Sequence, residues 1–143
     1  MTDVSFYKLS GNLQVALALV CQLAQKAVKM NQQVLCLVAD EETADTLNKM
    51  LWNFQASSFV PHGIGAEQMP VAISADRDPG DHHGILINLQ AEIPTWFSRF
   101  ERVMEIIYQQ SDYEQAKRDN FKFYKERGYP LSFHDLSDKF KPL

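Results

Sequence analysis

The chain has 143 residues, with 18 Asp and Glu against 14 Lys and Arg for a formal net charge of −4, and 45% of its residues are apolar. A domain of this length buries roughly 68 to 70% of its unfolded surface without a covalent staple, and its longest apolar run falls far short of the ~20 residues that span a membrane. The charge excludes a surface that is basic throughout, yet residues 117–143 carry seven Lys and Arg against four acids, net +3 beside −7 for the remainder, so an anionic partner is expected at the C-terminal end.

In chain order, residues 3–9 are rich in β-branched and aromatic types and run into the turn formers Ser10, Gly11 and Asn12, which predicts a first strand. From Leu13 to Met30 apolar residues recur with helical spacing (Leu13, Leu17, Val20, Cys21, Ala24, Ala27, Val28), with Gln and Lys opposite them. Val34 to Ala39 is almost purely apolar, as in a strand covered on both faces of a parallel sheet. Asp40, Glu41 and Glu42 then open a helix to about Phe54, Asp40 as cap and all three favoured at the positive end of the dipole. Gln55 to Gly65 has turn character, Val71 to Ser74 reads as a short strand, and Ala75 to Gly84 as a polar loop. Ile85 to Leu89 is a further strand, Ile93 to Phe97 a helical turn, and Phe100 to Tyr108 a strand with period-2 character. A last helix runs from Ser111 to Arg127, capped by Ser111 or Asp112 and stopped by Gly128. The order βαβα predicts an α/β protein: a three-layer Rossmann-like fold with a mostly parallel central sheet flanked by helices, one domain over 1–143.

Catalytic signatures are scarce. The first strand–helix turn holds only Gly11, too few glycines for a pyrophosphate to approach the backbone, and neither G-x-G-x-x-G nor a P-loop occurs. Asp40 suits a helix cap better than a ribose ligand. Asp76, Asp78, Asp81, His82 and His83 carry the right donors for a metal, but neighbours on one loop rarely aim at a single ion. No G-x-S-x-G is present, and His62 and His134 have no sequence-local nucleophile. Cys21 and Cys36 sit in apolar runs as small hydrophobes, consistent with a reducing compartment, and no cationic stretch leads into an apolar one at the N-terminus. The expectation is a soluble cytoplasmic protein with no catalytic residue, metal or cofactor.

Two surfaces stand out instead. Leu51, Trp52, Phe54, Phe59, Val60 and Pro61 crowd a turn, forming either a satellite core or a docking patch anchored by Trp52 and Phe59. On the last helix Lys117, Phe121, Tyr124 and Gly128 share a stripe, with Arg118, Lys122 and Lys125 beside it. Cations flanking rings suit an anion joined to an apolar group, such as a peptide end with an aromatic last residue or a stacked nucleotide; the plainer alternative is an amphipathic helix with a solvated basic face.

The chain resembles the chi subunit family of bacterial DNA polymerase III. The resemblance rests on Val4-Ser5-Phe6-Tyr7, on Leu51-Trp52 with Ser58-Phe59-Val60-Pro61-His62, on Ile85 to Leu89, and on Arg118 to Leu131. It implies a non-catalytic part of the clamp-loader assembly, paired with the psi subunit and binding the acidic C-terminal tail of single-stranded DNA-binding protein, with DNA reached only indirectly. By the same resemblance Trp52, Phe59, Val60 and Pro61 form the psi face. Ile107, Arg118, Phe121, Lys122, Tyr124 and Gly128 form the tail pocket, with Arg118 meeting the terminal carboxylate. Glu114 stands where some members carry a lysine, which weakens or re-aims the acidic part of such a tail. The loop from Gly65 to Gly84 matches poorly, and Phe133 to Leu143 is an extension the resemblance does not explain. The rival readings are a direct nucleic-acid binder using the C-terminal cations and a Rossmann-like enzyme using the Asp and His loop.

Overall fold

The computed structural model describes residues 1–53, 62–64, 70–76 and 78–140, with backbone alone for His62 and Gly63. Its strands are β1 (Asp3–Lys8), β2 (Val34–Leu37), β3 (His62–Ile64), β4 (Val71–Ser74), β5 (Ile85–Asn88), β6 (Arg102–Ile107) and β7 (Leu131–Asp135). Three helices, α1 (Leu13–Lys29), α2 (Glu41–Asn53) and α3 (Ser111–Glu126), and a 3-10 turn (Phe97–Arg99) complete the described elements. The strands form one sheet in the order β3-β4-β2-β5-β6-β1-β7, and all six pairings are parallel. The three-layer α/β expectation therefore holds.

The helix ends follow local chemistry. Asn12 accepts a hydrogen bond from the Val15 N–H to open α1, and Asp40 Oδ1 accepts from the Thr43 N–H at 2.7 Å to open α2. The α3 cap differs from expectation: Gln110, rather than Ser111 or Asp112, accepts from the Tyr113 N–H at 2.6 Å. Gln110 lies in extended backbone one residue earlier, so its longer side chain reaches back over the first turn. Gly128, at φ +76°, ends α3 as predicted.

Strand alternation divides the core in two. Val34, Cys36, Val71, Ile73, Ile85, Ile87, Met104 and Ile106 face α1 and α2, burying Leu17, Val20, Ala24, Leu47 and Leu51. On the opposite face Val4, Phe6, Leu35, Leu86, Val103 and Ile107 meet Tyr124 of α3 and Phe97 and Phe100 from around the 3-10 turn. Both cysteines are free and buried, and burial pushes the Cys21 thiol up to about 12.

Four corrections follow. His62–Ile64 is a strand inside the span read as a turn; three residues carry too little pattern to announce one. β6 is buried along its length after Arg102, with no period-2 exposure, because helices cover both its faces. The helical turn lies at Phe97–Arg99, later than Ile93 to Phe97. The unexplained extension continues β7 through Asp135, and its Leu136 and Phe140 pack on the α1 face.

Candidate functional site

In an open parallel sheet, ligands bind where neighbouring strands send their chains to opposite faces. Here β1 leads to α1 on one face and its neighbour β6 leads to α3 on the other. That seam is bridged: the Gln109 N–H donates to the Gly11 carbonyl, and Gln109 Oε1 accepts from the Gly11 N–H, each at 2.7 Å. Gly11 is held at φ +110°, and a Cβ there would come within 2.7 Å of Val15 Cγ2. Its glycine thus serves close packing rather than a phosphate cradle.

The Asp and His loop does not assemble either. His82 is buried whereas Asp76, Asp78, Asp81 and His83 are exposed, and Asp78 Oδ1 is taken up by the Gly80 N–H at 3.0 Å. Among the described residues no three His, Cys, Asp or Glu are grouped to hold a metal. Asp40 is occupied as the α2 cap, which holds its carboxyl below the ordinary range. His134 stacks on Tyr7 with ring centroids 4.9 Å apart, and the His62 side chain lies outside the described residues.

A cavity of about 230 Å³ lies between α3 and the β6-β1-β7 side of the sheet, lined by Phe6, Lys8, Ile107, Glu114, Lys117, Arg118, Phe121 and Phe133. Sequence alternation delivers these residues: Phe6, Lys8, Ile107 and Phe133 all project from the sheet face that α3 covers, and Glu114, Lys117, Arg118 and Phe121 recur at helical spacing. Its floor is aromatic. Phe121 meets Phe6 edge to face at 5.2 Å and Phe133 at 6.1 Å. Arg118 is exposed at the rim and, among the described residues, donates sideways to Gln115 Oε1 at 3.2 Å, so its guanidinium has further donors for an anion.

Ile107, Arg118 and Phe121 are thus brought together as expected; Lys122, Tyr124 and Gly128 are not among the lining residues. Tyr124 is 0% exposed and gives its hydroxyl to Glu105 Oε2 at 2.8 Å, because its position on the wheel points straight at the sheet. Lys122 is solvent-exposed and 4.0 Å from Glu126, and Gly128 lies beyond the helix end. Of the other patch, Trp52 is 59% exposed on the last turn of α2, while Phe59, Val60 and Pro61 lie outside the described residues.

Beneath the cavity is a buried polar network that the sequence reading missed. Lys117 Nζ lies 2.6 Å from Glu105 Oε1, both side chains 0% exposed, and donates to the carbonyls of Gln90 (2.7 Å) and Asn88 (3.2 Å). Asn88 Nδ2 donates to both Glu105 oxygens at 3.1 and 3.3 Å. Burial holds the Lys117 ammonium below the ordinary lysine range, opposed by the Glu105 carboxylate, while burial and then Glu105 push the Tyr124 hydroxyl far up. With every donor and acceptor matched, the network sets α3 at one height and rotation on the sheet. It thereby fixes which flank of the helix meets the cavity. Lys117, counted in the sequence among the cations of the C-terminal end and placed on the aromatic stripe, is a buried positioning residue. The only sequence signal was Glu105 in the apolar strand Val103 to Ile107, where a carboxylate demands a buried partner.

The known proteins that the chain resembles share one description. The family described as DNA polymerase III chi subunit, HolC, matches residues 1–132. A DNA polymerase III subunit chi from Pseudomonas aeruginosa is 41% identical over 143 residues, covering 95% of this chain and 98% of that protein. The proteins of the same name from Escherichia coli K12 and Haemophilus influenzae are 28% and 26% identical, each covering 92% of this chain and 97% and 95% of their own lengths.

Proposed function

Because the chain belongs to the DNA polymerase III chi subunit family, we propose that this replication accessory subunit works without catalysis, as an adaptor between two proteins. It pairs with the psi subunit and captures the acidic, ring-terminated C-terminal tail of single-stranded DNA-binding protein, acting in the cytoplasm as one domain within the clamp-loader assembly. The observation that carries this reading is the cavity under α3. A terminal ring fits against Ile107, Phe121 and Phe133, and the chain-end carboxylate meets the exposed Arg118 at its rim. Trp52, with Phe59, Val60 and Pro61, supplies the psi face; Trp52 itself stands on α2, across the sheet from the tail site.

Magnitudes suit reversible recruitment. A buried ring contributes about 1.5 to 3 kcal/mol and each charge-assisted hydrogen bond about 1.5 to 3 kcal/mol. After the ordering cost of a free tail, binding of about −8 kcal/mol, micromolar in Kd, remains. In a fluorescence anisotropy titration with an acidic peptide ending in phenylalanine, Arg118→Ala is expected to weaken binding about tenfold, equivalent to ~1.4 kcal/mol, with unchanged circular dichroism. Equal affinity of the two proteins would exclude this cavity as the tail site, and tighter binding to bare oligonucleotide than to peptide would replace the adaptor by a nucleic-acid binder.

A further inference from the structure

β7 is the last strand of the sheet, paired only with β1 among the described residues. In that parallel pairing the Leu136 N–H donates to the Lys8 carbonyl, and Val4 donates to the Pro130 carbonyl. By alternation the N–H groups of Ser132 and His134 also face β1, leaving the N–H and C=O of Leu131, Phe133 and Asp135 on the outer edge. Such an edge is a template for another strand. The same Phe133 whose backbone faces outward is 50% exposed and walls the cavity through its ring. Edge and cavity therefore form one continuous surface.

We propose that the acidic chain end recognised by the cavity also docks along β7 as an eighth strand, running parallel to it. Charge and direction select this occupant. The cavity sits beside the C-terminal half of β7, level with Phe6 and Lys8, which pair with Phe133 and Asp135. Only a chain running parallel to β7 has its preceding residues alongside Leu131 when its last ring reaches the cavity. α3 runs back the opposite way, and helical spacing puts Arg118, Lys122 and Lys125, all exposed, on the flank of α3 where Phe121 meets Phe133, with Glu114 a turn earlier at the cavity. Upstream carboxylates of the docked chain then pass these cations in turn. The reverse orientation would carry them past Asp135 and away from Lys122 and Lys125.

This inference rests on the cavity reading above, and the experiment separates the two. Acidic peptides ending in phenylalanine are N-methylated singly at each of the three residues before the terminal one and titrated by anisotropy against the protein and its Arg118→Ala variant. Strand docking predicts alternation: methylation at positions whose N–H faces β7 weakens binding at least fivefold, and at the intervening positions less than twofold. Loss at no position, or equal loss at all, overturns the strand while an Arg118→Ala defect keeps the cavity. Failure of the unmodified peptide to bind overturns both. Hydrogen exchange offers a second check: the Leu131, Phe133 and Asp135 amides are expected to slow at least fivefold on peptide addition, with Ser132 and His134 unchanged. A β7-to-β7 dimer in sedimentation that saturating peptide does not dissolve would assign the edge to a second copy of the chain and refute the proposal.

Discussion

The two faces of the sheet are held to their helices by different physics. Under α1 and α2 the contact is mainly apolar, with Leu17, Val20, Leu47 and Ile87 fully buried, so many side-chain arrangements of similar volume would serve. Under α3 the contact is organised around Lys117 and Glu105, whose charges tolerate only one geometry. An apolar face supplies stability with loose tolerance; the polar face supplies position. The cavity is on the face where position is fixed, as a site that must meet a carboxylate and a ring together requires.

The two faces differ most at Lys117. Lys117→Met is expected to cost about 3 to 5 kcal/mol by leaving Glu105 buried and unpaired, while Lys117→Met with Glu105→Leu recovers most of that loss and still weakens peptide binding. Urea denaturation of the two variants checks this, and a single-variant cost below about 1 kcal/mol would erase the distinction between the faces. Next in size, Leu47→Ala should cost about 2 to 5 kcal/mol through a cavity on the apolar face, without altering peptide affinity. Opening of that face can be followed by labelling of Cys21, whose thiol, with its pKa pushed up to about 12 by burial, reacts only once exposed.

Smaller effects sharpen the contrast at the edges. Asp40→Ala removes the α2 cap and should cost about 1 kcal/mol. The Asp40 carboxyl lies below its ordinary value because it accepts from Thr43, so the unfolded chain takes up the proton first as pH falls. The cap's stabilisation is thus complete above the unfolded value and fades as pH drops through the folded one. Urea midpoints measured between about pH 5 and pH 2 should show a shallower acid limb in the variant. The smallest effect is expected at Glu114, a carboxylate on the rim of an anion site. Glu114→Gln should tighten acidic-peptide binding two- to threefold at low salt, about 0.5 kcal/mol, and the gain should vanish at high salt.

Much of the architecture could be read from periodicity, because five of the strands and all three helices carry long apolar patterns with caps and stops. β3 and β7 escaped for a shared reason: they lie at opposite ends of the sheet and owe their form to the one strand each pairs with among the described residues rather than to their own pattern. In β7 four of five residues are exposed, so no burial rhythm marks it. At the site, Arg118 and Phe121 were visible as a cation beside a ring at helical spacing. Tyr124 was misplaced because a wheel gives the stripe without saying which edge of it meets the sheet, and the Lys117–Glu105 pair joins elements whose docking no local pattern encodes.

The clasp between Gly11 and Gln109 also works as a mechanical fastening. By stitching together the two strands that part company at the sheet's mouth, it ties the loop into α1 to the loop into α3, so the two helical layers cannot slide past each other along this seam without breaking both bonds.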